Sequence, residues 1–364
     1  MKTSRIKKVL SIVMTGVVAL GLAMCVTGCG TNQEDIPEEN VDYEIALVTD
    51  DGLASEGGHS QSAWNSITEF GATNGISHKI YKATEPTKAA FEDTIKTAIN
   101  KGAKIVIVDN SDMEEAVYTM QEKYPEIDFL MMHAEPYDSE TGDIKLTSNT
   151  AAMSFDSSQA GYLAGYAAVV EGYSRLGFIG ENEKDEIKGF GYGYVKGANA
   201  AAREAGKIVS MQYEYCTDDD YEGICKKALD MYEAGAQVIF AAGVKVQDPV
   251  IDASENGTGK VIGSQTDQSA KSETVITSAI YNANDALKGV LKKYKDNQFP
   301  GGEVLVYNAS NGGIGLEVKN NRLEVLVQKQ YDAAVKSLEK GDVKVDVEKT
   351  ESVKDILAPY VRIE

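Results

Sequence analysis

The chain has 364 residues and a formal net charge of −20 at pH 7, with 56 acidic against 36 basic residues. This balance argues against nucleic acid as a partner, because binding a phosphate backbone requires clustered Lys and Arg. The 3 histidines and 4 cysteines form no paired metal-ligand motif, so neither a metal nor a cofactor is expected.

Residues 1–28 have the pattern of a secretory signal peptide, since four basic residues precede the uncharged run "VLSIVMTGVVALGLAM". The following "VTGCG" places the small residue Gly28 before Cys29, the lipobox arrangement of bacterial lipoproteins. Cys29 is therefore the predicted lipidated first residue, with an ordinary signal peptide or short membrane anchor as the alternative. Removing residues 1–28 takes away four positive charges and no acids, which changes the formal charge from −20 to −24.

Residues 29–42 are predicted to be a tether between the anchor and the folded body. They include "GTNQEDIPEEN", an acidic and polar stretch without apolar periodicity. The folded part of the chain is expected to begin near Tyr43.

From Tyr43 onward, short apolar runs alternate with amphipathic stretches. Strands are predicted for the runs rich in Val, Ile and aromatic residues, in chain order "YEIALVTD", "KIVIVD", "IDFLMMH", "RLGFIG", "IVSMQYEY", "AQVIFAAG" and "GKVIGS". Helices are predicted where apolar residues recur three and four apart: "SAWNSITEFGATNG", "TKAAFEDTIKTAINKG", "MEEAVYTMQEKYP", "SSQAGYLAGYAAVVEGY", "GYVKGANAAAREAG", "YEGICKKALDMYEAG", "NANDALKGVLKKYKDN" and a last one around residues 330–340. This alternation predicts an α/β fold of parallel sheets with helices on both faces.

Two lobes are expected, because one sheet of so many strands would be unusually wide. The polar segment "KLTSNTAAMSF" interrupts the alternation and is taken as the break between the lobes. The chain is predicted to return to the first lobe at "TVITSAIYN" and to cross again to the second lobe at "YNASNGGIGLEV". The predicted N-terminal lobe is residues 43–148 plus 272–318, and the predicted C-terminal lobe is residues 149–271 plus 319–364. Ligands of open α/β sheets bind beyond the carboxyl ends of the strands, so the loops there are expected to form one cleft.

Glycine-rich loops in this chain do not indicate phosphate binding. "DDGLASEGGHSQSAW" has three acids and no Lys after its glycines, and the alternate glycines of "GENEKDEIKGFGYGYVKG" lack the dinucleotide-binding spacing. Close helix packing and ligand approach both remain open for those alternate glycines.

Enzyme chemistry is not expected either. No G-x-S-x-G stretch occurs, and the adjacent His59 and Ser60 rarely give the geometry of a base and its nucleophile. Cys216 and Cys225 flank "CTDDDYEGIC", and the sequence leaves a disulfide between them open.

The motifs taken together resemble the basic membrane protein family of substrate-binding lipoproteins of ABC transporters. The resemblance rests on the lipobox, "YEIALVTDDG", "HSQSAWNSI", "SSQAGYLAGYAA", "FGYGYVKGANAAARE", "AQVIFAAG", "GKVIGSQTDQS" and "TVITSAIYNAND", in order from about Tyr43 to the C-terminus. It implies a type I periplasmic-binding ("Venus flytrap") fold and, from characterised members, purine nucleoside uptake.

The family's site residues map onto this chain with several departures. The resemblance implies that Asp50 lies on the N-terminal-lobe side of the ligand cleft, and it places His59 where the family has a base-stacking Phe. Phe190 is the implied second stacking aromatic or, alternatively, a core residue. The family's ribose-binding Asp and Lys are replaced by Gln265 in "GSQTDQ" and Tyr281 in "TSAIYN". Losing both charges together is tolerable, whereas losing one partner of a buried ion pair would cost about 3–5 kcal/mol.

The sequence therefore predicts a lipid-anchored, extracytoplasmic, monomeric receptor that binds a small polar ligand between its lobes and delivers it to an ABC permease. A nucleoside or nucleobase is the leading ligand. The alternatives are another polar metabolite, or a sensor or surface lipoprotein without transport. Lys245 is either a cleft cation or a surface lysine. The candidate ligand-binding residues are Asp50, His59, Ser60, Gln61, Asn110, Phe190, Gly243, Lys245, Gln265 and Tyr281.

Overall fold

The computed structural model describes residues 42–50, 59–109, 111–257, 259–343 and 352–364. Within these ranges the strands are β1 Ile45–Thr49, β2 His78–Lys82, β3 Ile105–Val108, β4 Asp128–Met132, β5 Thr150–Phe155, β6 Arg175–Gly180, β7 Val209–Tyr215, β8 Val238–Ala242, β9 Lys260–Gln265, β10 Val275–Tyr281, β11 Val304–Tyr307, β12 Ile314–Leu316 and β13 Val361–Ile363. The α-helices are α1 His59–Asn74, α2 Lys88–Asn100, α3 Glu114–Lys123, α4 Ser157–Val170, α5 Asp185–Glu204, α6 Tyr221–Glu233, α7 Val244–Asn256, α8 Ala283–Lys295 and α9 Gln328–Glu339. Predicted Cys29 and Asn110 lie outside the described residues.

The strands form two sheets, as predicted. The first has the order β11-β5-β4-β3-β1-β2 and the second β12-β10-β9-β8-β6-β7-β13. Neighbouring strands in both sheets run parallel, except that β12 is antiparallel to β10. This confirms the α/β class and the mostly parallel pairing.

Each sheet is covered by helices on both faces. In the first lobe, Phe91 and Ile95 of α2 share a core with Val117 of α3, while Ile67 of α1 and Leu287 of α8 belong to the core on the other face. In the second lobe, α6 and α7 cover one face. Helices α4 and α5 bury the other through the cluster that contains Phe178 and Phe240. Burial on both faces explains why most strands read as continuous apolar runs.

Three strands lie in a different sheet from the one that the predicted lobe boundaries imply. Strand β5 belongs to the first sheet, because its residues pair with β4 in the register Phe129↔Thr150, and it is buried along most of its length. Strand β10 belongs to the second sheet through its pairing with β9, and β12 joins the same sheet by pairing with β10. The chain thus crosses between lobes after β5, after β10 and between β11 and β12.

Of the alternate glycines of α5, Gly189 and Gly193 face helix α4, whereas Gly191 faces Tyr213 of β7. A Cβ on Gly193 would lie 2.0 Å from the Ser158 carbonyl oxygen of α4, and a Cβ on Gly161 of α4 would lie 2.1 Å from the Phe190 carbonyl oxygen. Such distances are far below van der Waals contact, so these positions require glycine for the two helices to touch along their backbones. This packing also fixes where Phe190 stands.

Candidate functional site

The carboxyl ends of strands from both sheets meet at an aromatic cluster. Phe155 ends β5 of the first sheet, and Tyr281 ends β10 of the second. Their rings stack with centroids 4.8 Å apart and planes 14° apart. The strand-end region is therefore shared by both lobes, which is the position expected for a ligand cleft in this fold.

Other aromatic side chains extend this cluster into each lobe. Tyr281 also stacks on Phe190 of α5, at 5.5 Å and 15°. Phe155 stacks on Tyr307 of β11 at 5.2 Å, and His133, directly after β4, lies 5.3 Å from Phe155 and 5.9 Å from Tyr281. These separations are typical of favourable aromatic pairs.

Phe190 is not available at the cleft surface in this structure. Its side chain is 0% exposed, with Tyr281 stacked on it and Phe240 against its edge. The structure thus differs from the predicted arrangement, in which Phe190 offers a face to a ligand. A ligand could stack there only if Tyr281 moved.

Glu186 forms hydrogen bonds with both Gln265 and Tyr281, the residues that the resemblance implied as replacements for the family's charged Asp and Lys. One oxygen of its carboxylate, Oε1, accepts hydrogen bonds from the Tyr281 hydroxyl at 2.8 Å and from Gln265 Nε2 at 3.0 Å. Burial, followed by the nearby Glu186 charge, raises the pKa of Tyr281 well above its usual value, so this hydroxyl is a donor. Gln265 has φ 65°, a left-handed conformation that a non-glycine residue seldom adopts.

The N-terminus of α7 is bound by side chains from two other strand ends of the second sheet, Ser264 of β9 and Glu181 after β6. Gly243 has φ 109° and donates its N–H to Ser264 Oγ at 3.0 Å. The Lys245 N–H donates to Glu181 Oε2 at 2.9 Å. The Lys245 side chain is exposed, and a Cβ on Gly243 would lie 2.5 Å from the Glu181 Cβ. Gly243 therefore directly follows β8 and is required by the backbone, whereas Lys245 lies in the first turn of α7.

Two of the first-lobe candidates, Ser60 and Gln61, form contacts within their own lobe. Ser60 is buried, and its Oγ lies 3.2 Å from the Thr49 Oγ1. Gln61 donates from Nε2 to Asn65 Oδ1 at 2.9 Å. Asp50 follows β1 and is half-buried, and His59 is the first residue of α1.

His133 is a site residue that the sequence reasoning did not select. Its Nε2 lies 3.5 Å from Oδ1 of the buried Asp109, and its side chain is 28% exposed. It stands beside a cavity of about 340 Å³ lined by Glu114, His133, Ala134, Glu135, Tyr137, Ile144, Met153 and Ser154. The signal in the sequence was its place directly after "IDFLMM", the rule already applied to other strands.

The part of the chain that the structure describes contains no cluster of three or more His, Cys, Asp or Glu side chains arranged to hold a metal ion. No helix in those same ranges is both long and apolar enough to cross a membrane. Cys216 and Cys225 are both free thiols, so the possible disulfide is not formed.

Residues 44–349 match the family model described as ABC transporter substrate-binding protein PnrA-like. The chain belongs to this Bmp family. It is 26% identical over 337 residues to an ABC transporter nucleoside-binding protein, BmpA, of Lactococcus lactis subsp. cremoris, covering 86% of this chain and 93% of that protein. It is 34% identical over 184 residues to basic membrane protein B of Borreliella afzelii, covering 49% of this chain and 53% of the relative.

Solved structures share this fold at low sequence identity. An ABC transporter solute-binding protein from Aeropyrum pernix superposes with a TM-score of 0.69 at 16% identity, covering 85% of this chain and 94% of that one. A transcriptional activator of the comK gene from Bacillus halodurans gives 0.66 at 17% identity, covering 83% and 100%. The two-lobed solute-binding fold is thus confirmed, and the family membership, rather than the fold, assigns this Bmp protein to ABC substrate binding.

Proposed function

We propose that this Bmp-family protein captures a small polar ligand between the strand ends of its two lobes and delivers it to an ABC permease for import. The observation that carries the proposal is the meeting of β5 from one sheet and β10 from the other at a single aromatic and polar site. A ligand touching both lobes would stabilise the closed form by its differential affinity for the closed and open states. No bond of the ligand needs to be broken for this role.

A nucleoside or nucleobase is the leading ligand. Support comes from the nucleoside-binding name of the L. lactis relative and from the aromatic rings around His133. The Gln265 amide and the Tyr281 hydroxyl replace the charges that the family uses on the ribose. Both groups are already bonded to Glu186, which favours the second candidate, a different polar metabolite in the same cleft.

Thermal-shift titration with adenosine, guanosine, inosine, uridine and cytidine separates these candidates. A ligand that binds only the folded protein increases its free energy of unfolding, by about 2.7 kcal/mol at a ligand concentration of 100 Kd. The unfolding temperature rises accordingly. A saturable shift with one nucleoside supports the leading proposal. Five flat titrations would remove these nucleosides and leave a nucleobase or the other polar metabolite.

We also propose that Cys29 anchors the protein by lipid on the extracytoplasmic face of the membrane. The lipobox "VTGCG" supports this assignment, and Cys25, which follows Met24 and not a small residue, provides a matched control. Cys29→Ser should move the protein from the membrane fraction to the soluble fraction, while Cys25→Ser should leave it membrane-bound. Equal membrane retention of both variants would contradict the anchor.

A further inference from the structure

Tyr281 occupies the aromatic space at the junction of the two lobes. It is the last residue of β10, its side chain is 7% exposed, and its ring stacks on Phe155 of the first sheet and on Phe190 of the second lobe. The planes are 14° and 15° from parallel, respectively. A planar ligand that stacked on the same two residues would adopt this ring's place.

Polar contacts hold the Tyr281 ring in that place. Its hydroxyl donates to the Glu186 carboxylate, and such charge-assisted bonds are stronger than neutral ones. Gln265 donates to the same oxygen while keeping a left-handed backbone conformation. Strained backbone of this kind persists only where the surroundings determine it, and here it directs the Gln265 amide at Glu186.

We propose that Tyr281 is a specificity-determining residue that excludes planar rings from the face of Phe190. The inference rests on the proposed function, since it states what the ligand cleft admits. The wild-type cleft then takes ligands that bind beside Tyr281, toward the partly exposed His133. Removing the Tyr281 ring should open an apolar space between Phe155 and Phe190, and engineered apolar cavities can bind a planar ring.

Isothermal titration with guanosine tests this inference on wild type, Tyr281→Ala and Tyr281→Phe. Tyr281→Ala should bind guanosine at least tenfold more tightly than wild type, and Tyr281→Phe, which retains the ring, should stay within about twofold of wild type. Tyr294→Ala is the matched control. Tyr294 lies on α8, and its hydroxyl also donates to a carboxylate, the Glu44 Oε1, at 3.0 Å. Tyr294→Ala should show no gain. Equal or weaker guanosine binding by Tyr281→Ala would overturn the inference.

A second measurement does not depend on the folding of the alanine variant. In wild-type protein, proton NMR should show nuclear Overhauser contacts from the Tyr281 ring to the rings of Phe155 and Phe190, and these should persist after guanosine is added. Their absence, or their loss on adding guanosine, would show a displaceable ring and contradict the inference. Failure of wild type to bind any small molecule would defeat the proposed function while leaving the predicted gain in Tyr281→Ala intact.

Discussion

Asp128 shows how burial of a single carboxyl makes the stability of this protein depend on pH. It is the first residue of β4, and burial raises its pKa from 3.8 to about 6. A raised pKa in the folded state means that folding favours the protonated form. The stabilising contribution of the protonated carboxyl is therefore complete below about pH 3.8 and is lost as the pH rises through about 6.

Asp128→Asn should accordingly be more stable than wild type at pH 7.5. The rise in pKa corresponds to at most about 3 kcal/mol, and solvent screening of this half-buried carboxyl reduces the expected gain to roughly 1 kcal/mol. Urea unfolding at pH 7.5 and pH 4 measures the difference, which should shrink toward zero at the lower pH. Asp93→Asn, at an exposed position of α2, is the control and should change the free energy of unfolding by less than about 0.5 kcal/mol. A gain that is the same at both pH values would show that the carboxyl charge is not its cause.

Individual site residues were predictable from the sequence when they followed an apolar run. Gly243, Gln265 and Tyr281 do lie at strand ends of the second sheet. The partners Phe155 and Glu186 were missed, because their contacts join segments far apart in the chain. The burial of Phe190 under Tyr281 was not predictable for the same reason.

At the scale of elements, the backbone contact between α4 and α5 determines the position of Phe190. Gly161→Ala would place a methyl group 2.1 Å from the Phe190 carbonyl oxygen, so the two helices would have to separate. We expect a loss of about 1–3 kcal/mol in the free energy of unfolding, as is usual for overpacked cores.

The matched control is Gly289→Ala in α8, where a Cβ meets no atom within 4 Å. Alanine is the better helix former, so this change should stabilise the protein by roughly 0.5–1 kcal/mol. Chemical denaturation of both variants gives the comparison. Equal effects of the two substitutions would contradict the required contact between the helices.

The elements that the sequence predicted well were those with long, clear periodicity. The seven predicted strands all form, as do the predicted helices. Helix α7 was missed because it follows Gly243 and contains Pro249, both of which normally interrupt helices. Strand β2, "HKIYK", was missed because its residues are mostly half-exposed and polar, and its pairing with β1 is decided by tertiary structure.

At the scale of the whole molecule, charged side chains of the two lobes interact near the carboxyl ends of the strands. Burial raises the pKa of Glu114 at the start of α3, while Lys184, which precedes α5 in the second lobe, opposes that rise. A positive charge from one lobe therefore acts on a carboxylate of the other. The predicted α/β class and two-lobed architecture are confirmed. Strands β5, β10 and β12 lie in a different sheet from the one that the predicted lobe boundaries implied, because an apolar strand can pair equally well in either lobe until its register is known.

Mass spectrometry of small molecules released from the gently purified, then denatured protein tests ligand capture in the cleft most directly. One polar compound should appear at close to one equivalent from wild type. His133→Ala should retain severalfold less of it, whereas His78→Ala, whose ring contacts Trp64 on the first lobe, should retain the wild-type amount. Full retention by His133→Ala, or the absence of any compound from folded wild type, would contradict ligand capture at the strand ends.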